Sequence, residues 1–313
     1  MAGGDGFKYT DGRDDGWGGL DVPRGVSKIA EVLGERGAYE WSELNGGHVS
    51  KVFKVCTPTQ TAVAKVGPSW YGNSIARERL CLERIRAKTD VKVPAVLNYA
   101  PADNDIFPGH EVLLMEYVEG PTLGSMHIDD RMHEEVGRMY KQIHQICVLG
   151  NGPLDESFHG RKNGWKEFLA DIDAVRFPLD AGMLKREEYS WLLHEIGRET
   201  GEQENTSLLH GDFRWDNLIY GKTGIVPLDF QNAIGGYEMY EYATNLAWHP
   251  ETARQLKHYL GHEPKSAELR DIMLCSMAYV TSLMGYWING GDMNGARIFR
   301  RRFDIFKETY KGV

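Results

Sequence analysis

The spacing of apolar and polar residues along the chain changes near Gly120 and Pro121. Before this point, short runs rich in β-branched and aromatic residues are separated by turn residues and predict an antiparallel sheet. These runs lie at residues 41–44, 49–56, 61–66 and 112–115. Residues 27–37 and 74–88 have the apolar spacing of helices, so we expect two helices alongside these strands.

After Pro121, apolar residues recur three or four positions apart, which predicts a mainly helical region. Predicted helices lie at residues 134–148, 165–174 and 186–198. A longer apolar run at residues 274–288 is shorter than the ~20 residues that span a bilayer, so it predicts a buried helix.

Together these patterns predict an α+β fold of two lobes. The sheet and its main helix form an N-terminal lobe at residues 21–119, and the larger, mainly helical C-terminal lobe covers residues 120–313. Residues 1–20 are rich in glycine and aspartate, have few apolar residues to bury, and predict a mobile N-terminal arm.

Charge and cysteine content narrow the functional classes. The 313 residues include 36 basic and 45 acidic ones, a formal charge of -9, which argues against general nucleic-acid binding and weakly favours a cationic substrate. No signal-peptide pattern is present at the N-terminus, so we expect a cytoplasmic protein without a membrane partner. Widely spaced cysteines without zinc-ligand spacing predict reduced, buried packing residues at Cys56, Cys81, Cys147 and Cys275.

Residues 208–220 place a polar cluster between two apolar runs, which predicts a loop flanked by strands. Phosphoryl transfer needs a carboxylate beside the accepting hydroxyl, hard oxygen ligands for magnesium and a cation on the nucleotide phosphates. In this loop, Asp212 can accept the hydroxyl proton and Asn217 offers an amide oxygen. Asp229, after the next apolar run, offers a second hard ligand. The pattern therefore predicts a phosphoryl-transfer site that uses magnesium.

The order His210, Gly211, Asp212, four residues and then Asn217 resembles the catalytic loop of the aminoglycoside phosphotransferase and choline kinase-like family. Asp229 follows in the apolar-apolar-Asp-aromatic context that this family uses for a metal-binding aspartate. The resemblance implies a bilobal protein kinase-like fold, ATP or GTP as co-substrate, Mg²⁺ as cofactor and a small hydroxyl-bearing substrate as partner.

The resemblance extends through the N-terminal lobe. Lys65 lies on a strand similar to the one that carries the family's phosphate-binding lysine, and Glu78, rather than Glu83, is similar to the glutamate that pairs with it. The segment that contains Gly46, Gly47 and Ser50 resembles the family's nucleotide-covering turn, although a glycine pair alone would equally mark a hairpin. The segment of Met115, Glu116, Tyr117 and Val118 resembles the hinge on which adenine rests in this family.

Two residues are expected to support the loop without reacting. His210 would pack and hydrogen-bond within it. Relatives usually have a further aspartate downstream, whereas this chain has Glu241, whose longer carboxylate would fill that position from farther away. For Arg214 and Asp216, the sequence does not decide between a contact with the substrate and an ion pair on the surface.

The leading hypothesis is a small-molecule kinase. A protein kinase is disfavoured because the loop reads His-Gly-Asp, Asp229 is followed by Phe230-Gln231, and no Ala-Pro-Glu segment follows. A catalytically silent nucleotide-binding regulator is disfavoured because the chain keeps every residue of the predicted site: Lys65, Glu78, Asp212, Asn217 and Asp229. The acidic balance favours an aminoglycoside or other cationic antibiotic as acceptor, hence a role in antibiotic resistance, with choline-like amines, sugars and nucleosides as alternatives.

Overall fold

The computed structural model describes residues 20–44, 50–68, 74–162, 164–170, 176–199 and 206–313. Their contacts divide them into two compact units. The first unit contains the described residues as far as Pro121 together with Ile219–Gln231, and the second contains those within Thr122–Leu218 and Asn232–Val313. The predicted N-terminal arm lies outside the described residues except for Leu20.

An antiparallel sheet forms most of the first unit. Its described strands lie in the order β1-β2-β3-β5-β4, and every neighbouring pair is antiparallel. The strands are β1 (Glu40–Leu44), β2 (Lys51–Cys56), β3 (Thr61–Pro68), β4 (Val96–Ala100) and β5 (His110–Glu116), and the helices of this unit are α1 (Val22–Val32) and α2 (Ser74–Lys88). The predicted antiparallel sheet is therefore observed, with β4 as a strand that the apolar pattern did not predict.

Alternation along β3 separates a core face from a polar one. Ala64 and Val66 are fully buried in a cluster that includes Ile29 of α1. Lys65 lies on the opposite face of the strand, where its ammonium group contacts Glu78 of α2. The strand thus places a charged residue under a helix that carries its counter-ion.

Helix α1 begins at Val22, five residues before the predicted start. Asp21 accepts a hydrogen bond from the Arg24 amide at 3.1 Å, and a proline occupies the first turn, where no N–H group is needed. After the helix, Gly34 has a φ of +84°, a conformation that ends helices at little cost for glycine. The Asp21 cap and the proline explain why the helix starts earlier than predicted.

The second unit is mainly helical, as predicted. Its described helices are α3 (Asp130–His144), α4 (Trp165–Ala170), α5 (Arg176–Asp180), α6 (Arg186–Glu199), α7 (Met239–Trp248), α8 (Leu256–Leu260), α9 (Ser266–Asn289) and α10 (Met293–Gly312). The apolar run predicted as a buried helix lies within α9. In the described part of the chain, no helix is long and apolar enough to cross a membrane.

Short strands add a second sheet that the sequence did not predict. They are β6 (Cys147–Val148), β7 (Asn151–Leu154), β8 (Gly160–Lys162), β9 (Thr206–Leu209) and β12 (Ile234–Gly236), arranged in the order β6-β9-β12-β7-β8. The predicted helix at residues 134–148 ends at His144, because Cys147 and Val148 pair with β9 instead. Cys147 is exposed, so the expectation of burial is wrong for this cysteine; Cys56 is half-buried, and Cys81 and Cys275 are buried.

Two further strands follow the polar cluster identified in the sequence. They are β10 (Leu218–Gly221) and β11 (Gly224–Pro227), which pair with each other. The polar cluster therefore begins after β9 and ends at β10, as predicted for a loop flanked by strands. Asp229 follows β11 after one residue.

Candidate active site

A loop with a glycine in the left-handed region carries the catalytic motif. Gly211 has a φ of +77°, and a Cβ added there would lie 2.0 Å from the backbone oxygen of Asn232. No residue with a side chain fits this position without a shift of the backbone. The loop ends in a short 3₁₀ turn, Trp215–Asn217, which leads into β10. Its path therefore depends on the glycine that follows His210.

Glu241 of α7 holds the start of this loop. Its side chain is fully buried, and its two carboxylate oxygens accept hydrogen bonds from the backbone amides of His210, at 2.5 Å, and Gly211, at 3.2 Å. His144 lies 3.6 Å from the same carboxylate. The structure thus places the longer carboxylate of Glu241 directly on the loop backbone.

The His210 ring is fully buried and contacts its own loop. Its Nδ1 atom accepts a hydrogen bond from the Asp212 amide at 3.3 Å. Thr244 of α7 accepts a hydrogen bond from the Phe213 amide at 3.3 Å and donates to the Glu241 carbonyl at 2.7 Å. His210 and α7 therefore immobilise the backbone around Asp212.

The Asp212 carboxylate is contacted at both oxygens. Oδ2 lies 3.2 Å from the Arg214 guanidinium and accepts a hydrogen bond from Asn217 Nδ2 at 3.3 Å. Oδ1 accepts a hydrogen bond from the hydroxyl of Tyr279, in α9, at 3.2 Å. Arg214, which the sequence left open, thus pairs with Asp212. Tyr279 was missed, because an isolated tyrosine in an apolar helix gives no sequence signal.

The side-chain amide of Asn217 is oriented by its own loop. Its Nδ2 atom donates to the backbone oxygen of Asp212 at 2.9 Å, so the amide nitrogen is committed to the loop. The amide oxygen is therefore the atom that suits a hard cation. Among the described residues, no group of three or more His, Cys, Asp or Glu side chains could hold a metal ion.

In the first unit, Lys65 lies between two carboxylates. Its Nζ atom donates to Glu78 at 2.7 Å and to Asp229 at 2.8 Å. Lys65 and Glu78 are buried, whereas the Asp229 side chain is 34% exposed. Burial lowers the pKa of Lys65, but the charges of Asp229 and Glu78 outweigh this effect and hold the pKa above its ordinary value. Glu83 instead pairs with Arg79 on the surface of α2, as expected from the choice of Glu78.

A polar network secures the chain after Asp229, which itself has a φ of +65°. A non-glycine residue in this region is strained by roughly 1 kcal/mol or more, so its surroundings must hold it there. The Gln231 side chain donates to the hydroxyls of Ser50, at 2.8 Å, and Ser74, at 3.1 Å. Arg77 of α2 donates to the Gln231 carbonyl at 2.6 Å. Neither Gln231 nor Ser74 was identified from the sequence.

The predicted nucleotide-contact residues are only partly described. Gly46 and Gly47 lie outside the described residues, and Ser50 is buried beside Gln231. Hinge residue Met115 is buried at the end of β5, and exposed Glu116 accepts a hydrogen bond from the Ala95 amide at 3.3 Å. The Lys54 ammonium group lies 4.0 Å from the centre of the half-buried Tyr117 ring, and Val118 is also half-buried.

Comparison with models of known protein families identifies a family for this chain. The model of the phosphotransferase enzyme family, APH, matches residues 40–271, about three quarters of the chain. The chain belongs to this family. As a phosphotransferase of the kinase type, it has the enzyme class that the motif predicted, and the resemblance stated from the sequence is confirmed. A sequence search of curated proteins gave no match.

Solved structures of phosphotransferases share the fold. A thermostable mutant of aminoglycoside phosphotransferase APH(4)-Ia, in ternary complex with AMP-PNP and hygromycin B, is 17% identical with a TM-score of 0.69 over 92% of this chain and 100% of that chain. A putative fructosamine-3-kinase from Haemophilus somnus 129PT is 14% identical with a TM-score of 0.65 over 92% and 99% of the two chains. The GDP and kanamycin complex of APH(2")-IIia is 14% identical with a TM-score of 0.67 over 90% and 97%. The predicted protein kinase-like fold is thereby confirmed.

Proposed function

We propose that this phosphotransferase moves the γ-phosphoryl group of ATP or GTP to a hydroxyl group of a small molecule, with Asp212 as the base. The observation that carries the proposal is the Asp212 carboxylate, which is contacted at both oxygens on a loop that Glu241 and His210 immobilise. A general base must be oriented before the acceptor arrives, and this arrangement meets that requirement.

The first unit supplies the groups that a nucleoside triphosphate needs. Lys65 remains charged, since its pKa is raised, and a buried ammonium group suits contact with phosphate oxygens. Glu78 orients that ammonium group, and Asp229 offers a partly exposed carboxylate oxygen to magnesium. Relatives of known structure bind AMP-PNP or GDP, which supports a purine nucleotide here without selecting the base.

The proposed reaction is a direct in-line transfer. As the acceptor oxygen forms its bond to the γ-phosphorus, its proton passes to Asp212 and the nucleoside diphosphate leaves. Asn217 fixes the Asp212 carboxylate and backbone and offers its amide oxygen to magnesium, while Lys65 neutralises charge on the phosphates. Magnesium, when bound, spreads the charge that develops on the transferring oxygens.

For the acceptor, we propose an amino-bearing hydroxyl compound such as an aminoglycoside. The formal charge of -9 supports a cationic acceptor, and hygromycin B and kanamycin occupy two structures that share the fold. An amino-sugar derivative is the second candidate, because a fructosamine kinase has the same fold. A panel of aminoglycosides, fructosamines, choline, sugars and nucleosides, assayed with radiolabelled ATP and GTP, separates these classes. A labelled product from a plain sugar or a nucleoside alone would contradict the cationic acceptor.

The base assignment is tested with Asp212→Asn. The amide preserves the size of the side chain but cannot take a proton and offers one acceptor oxygen instead of two, so we expect turnover to fall by roughly 100-fold or more while nucleotide affinity stays unchanged. Turnover is measured as nucleoside diphosphate release, and affinity by calorimetry. Asp103→Asn, at an exposed turn, is the matched control and should behave as the parent protein. Full turnover in Asp212→Asn would rule out the proposed mechanism.

A further inference from the structure

Tyr279 connects Asp212 to Trp248, the last residue of α7. The Tyr279 hydroxyl donates to Asp212 Oδ1 at 3.2 Å, and Trp248 Nε1 donates to the same hydroxyl oxygen at 3.3 Å. Tyr279 lies in α9, more than 60 residues after the catalytic loop in the chain. The contact therefore comes from a part of the protein that the loop motif does not include.

The direction of these two hydrogen bonds follows from the chemistry of the groups. An indole N–H can only donate, so the Tyr279 oxygen must be the acceptor for Trp248. An ionised carboxylate can only accept, so the Tyr279 proton must point to Asp212. Burial, and then the charge of Asp212, raise the pKa of Tyr279 well above its ordinary value. The hydroxyl thus keeps its proton and remains a donor to the base.

Neighbouring aromatic rings hold both side chains in place. Tyr240 contacts the Tyr279 ring edge to face, with centroids 5.9 Å apart and planes at 80°. Trp248 packs edge to face on Phe299, with centroids 5.2 Å apart and planes at 84°. These contacts would be equally satisfied by a phenylalanine at position 279. Packing therefore explains the ring of Tyr279 but not its hydroxyl.

We propose that Tyr279 is a positioning residue for phosphoryl transfer, which fixes the rotation of the Asp212 carboxylate through its hydroxyl and is itself oriented by Trp248. This inference rests on the proposed role of Asp212 as the base. Arg214 and Asn217 hold the other carboxylate oxygen, and Tyr279 adds a contact to Oδ1 from outside the loop. Its loss would allow the carboxylate to turn out of the orientation in which the loop and α9 hold it.

Tyr279→Phe tests the proposal. With Mg²⁺ and ATP or GTP, and with water as the acceptor, we expect the rate of phosphate release to fall by roughly 10-fold, the usual scale for losing a hydrogen bond to a charged group. The acidic limb of the pH–rate profile should move to higher pH, because a carboxylate that loses a donor is protonated more readily. The nucleotide dissociation constant should stay unchanged. A purely structural role would not move the pH profile.

Tyr237→Phe is the matched control, since the Tyr237 hydroxyl also donates to a carboxylate, Asp271 Oδ2, at 3.1 Å. This variant loses the same type of bond away from the loop and should keep the parent rate and pH profile. Parent-like rate and pH profile in Tyr279→Phe, with Asp212→Asn inactive, would overturn the inference and leave the proposed function standing. Full activity of Asp212→Asn would overturn both.

Trp248→Phe provides a second variant if Tyr279→Phe does not fold. It removes the indole donor and leaves the Tyr279 hydroxyl free to turn, so we expect a smaller loss of rate, roughly 3-fold, and a shift of the acidic limb in the same direction. A phenylalanine still presents a ring to the Arg214 guanidinium, which lies 5.0 Å from the centre of the Trp248 ring. In the Tyr279→Phe background, the Trp248 substitution should therefore add little, because the donor that it removes acts through the Tyr279 hydroxyl. Fully additive losses, or a parent-like profile in Trp248→Phe, would contradict this pathway.

Discussion

The two units of the molecule hold their candidate residues in different ways. In the first unit, side-chain charges compensate one another, since the Lys65 ammonium group lies within 2.8 Å of the carboxylates of Glu78 and Asp229. In the second unit, buried Glu241 binds backbone amides, and the hydroxyl of Tyr279 binds Asp212. One part depends on charge balance, and the other depends on the shape of a loop.

This difference predicts different responses to substitution. Removing one member of a buried ion set leaves an uncompensated charge, which affects both stability and phosphate binding. Removing a group that holds a loop leaves unpaired backbone amides and a misplaced base, which affects the rate more than nucleotide affinity. Measuring the unfolding free energy and the kinetic constants of each variant therefore tests whether the two units differ in this way.

The largest effect is expected for Lys65→Met. The substitution leaves Glu78 buried beside Asp229 without its cation, so we expect the free energy of unfolding to fall by about 3–5 kcal/mol. Because we propose that Lys65 contacts the nucleotide phosphates, its loss should lower kcat/KM for the nucleotide by roughly 100-fold or more. Urea unfolding and steady-state kinetics measure the two quantities.

Lys222→Met is the matched control in the same unit. Lys222 pairs with Glu119 at 2.8 Å, but both side chains are largely exposed, 84% and 69%. An exposed pair is screened by water and contributes little, so stability and kinetics should stay close to the parent values. Equal losses in the two lysine variants would show that burial does not distinguish the Lys65 set.

Glu188, a carboxylate of the second unit that pairs with cations, should stabilise the fold to an extent that depends on pH. Arg300, then the Lys185 backbone amide and Lys307, hold the pKa of Glu188, in α6, at about 2, with burial opposing them. Since the folded pKa lies below the ordinary value, this stabilisation is fully present above pH 4.5 and is lost as the pH falls towards 2. Glu188→Gln should therefore cost about 3 kcal/mol at neutral pH, and this deficit should shrink to roughly half near pH 3.5.

Glu308→Gln is the control for the pH experiment. Glu308 pairs with Lys311 at 2.7 Å on the exposed surface of α10. Urea unfolding at several pH values should give the same stability for this variant and the parent protein. A Glu188→Gln deficit that does not change with pH would show that packing, and not charge pairing, makes this carboxylate important.

Glu241→Gln tests the part that depends on loop shape. A glutamine offers one acceptor oxygen where the carboxylate offers two, so the amide of His210 or Gly211 would lose its partner. We expect the free energy of unfolding to fall by about 2 kcal/mol. We also expect kcat to fall by roughly 10-fold, with nucleotide affinity unchanged. Glu238→Gln, at a half-exposed neighbour, should leave both unchanged.

Much of this fold and site could be predicted, because the responsible signals are local. Alternation along β3 and helical spacing in α2 predicted the elements that carry Lys65 and Glu78. The spacing of the loop motif identified Asp212 and Asn217. These residues are recognisable because they repeat a pattern within a few positions.

What could not be predicted depends on contacts between distant parts of the chain. Strands of two to four residues, such as β6 and β12, are too short for a periodic signal and form only because a partner strand is present. Tyr279 and Gln231 have ordinary sequence contexts, and their roles follow from hydroxyl and amide groups that meet residues 67 and 181 positions away. Sequence reasoning found the groups that belong to local motifs and missed Tyr279 and Gln231, which reach them from distant parts of the chain.

Gln231→Ala tests whether such a neutral group matters in the part dominated by charge. The substitution removes the hydrogen bonds to Ser50 and Ser74 but keeps the backbone bond from Arg77, so we expect a stability loss of only about 1 kcal/mol. Because these bonds hold the backbone next to the strained Asp229, we expect the Mg²⁺ concentration for half-maximal activity to rise by roughly 3- to 10-fold. Gln60→Ala, which loses a bond to the Leu33 carbonyl in the same unit, controls for the loss of an amide and should leave the magnesium dependence unchanged. A parent-like magnesium dependence in Gln231→Ala would mean that the charges of Lys65, Glu78 and Asp229 position this part of the site without neutral support.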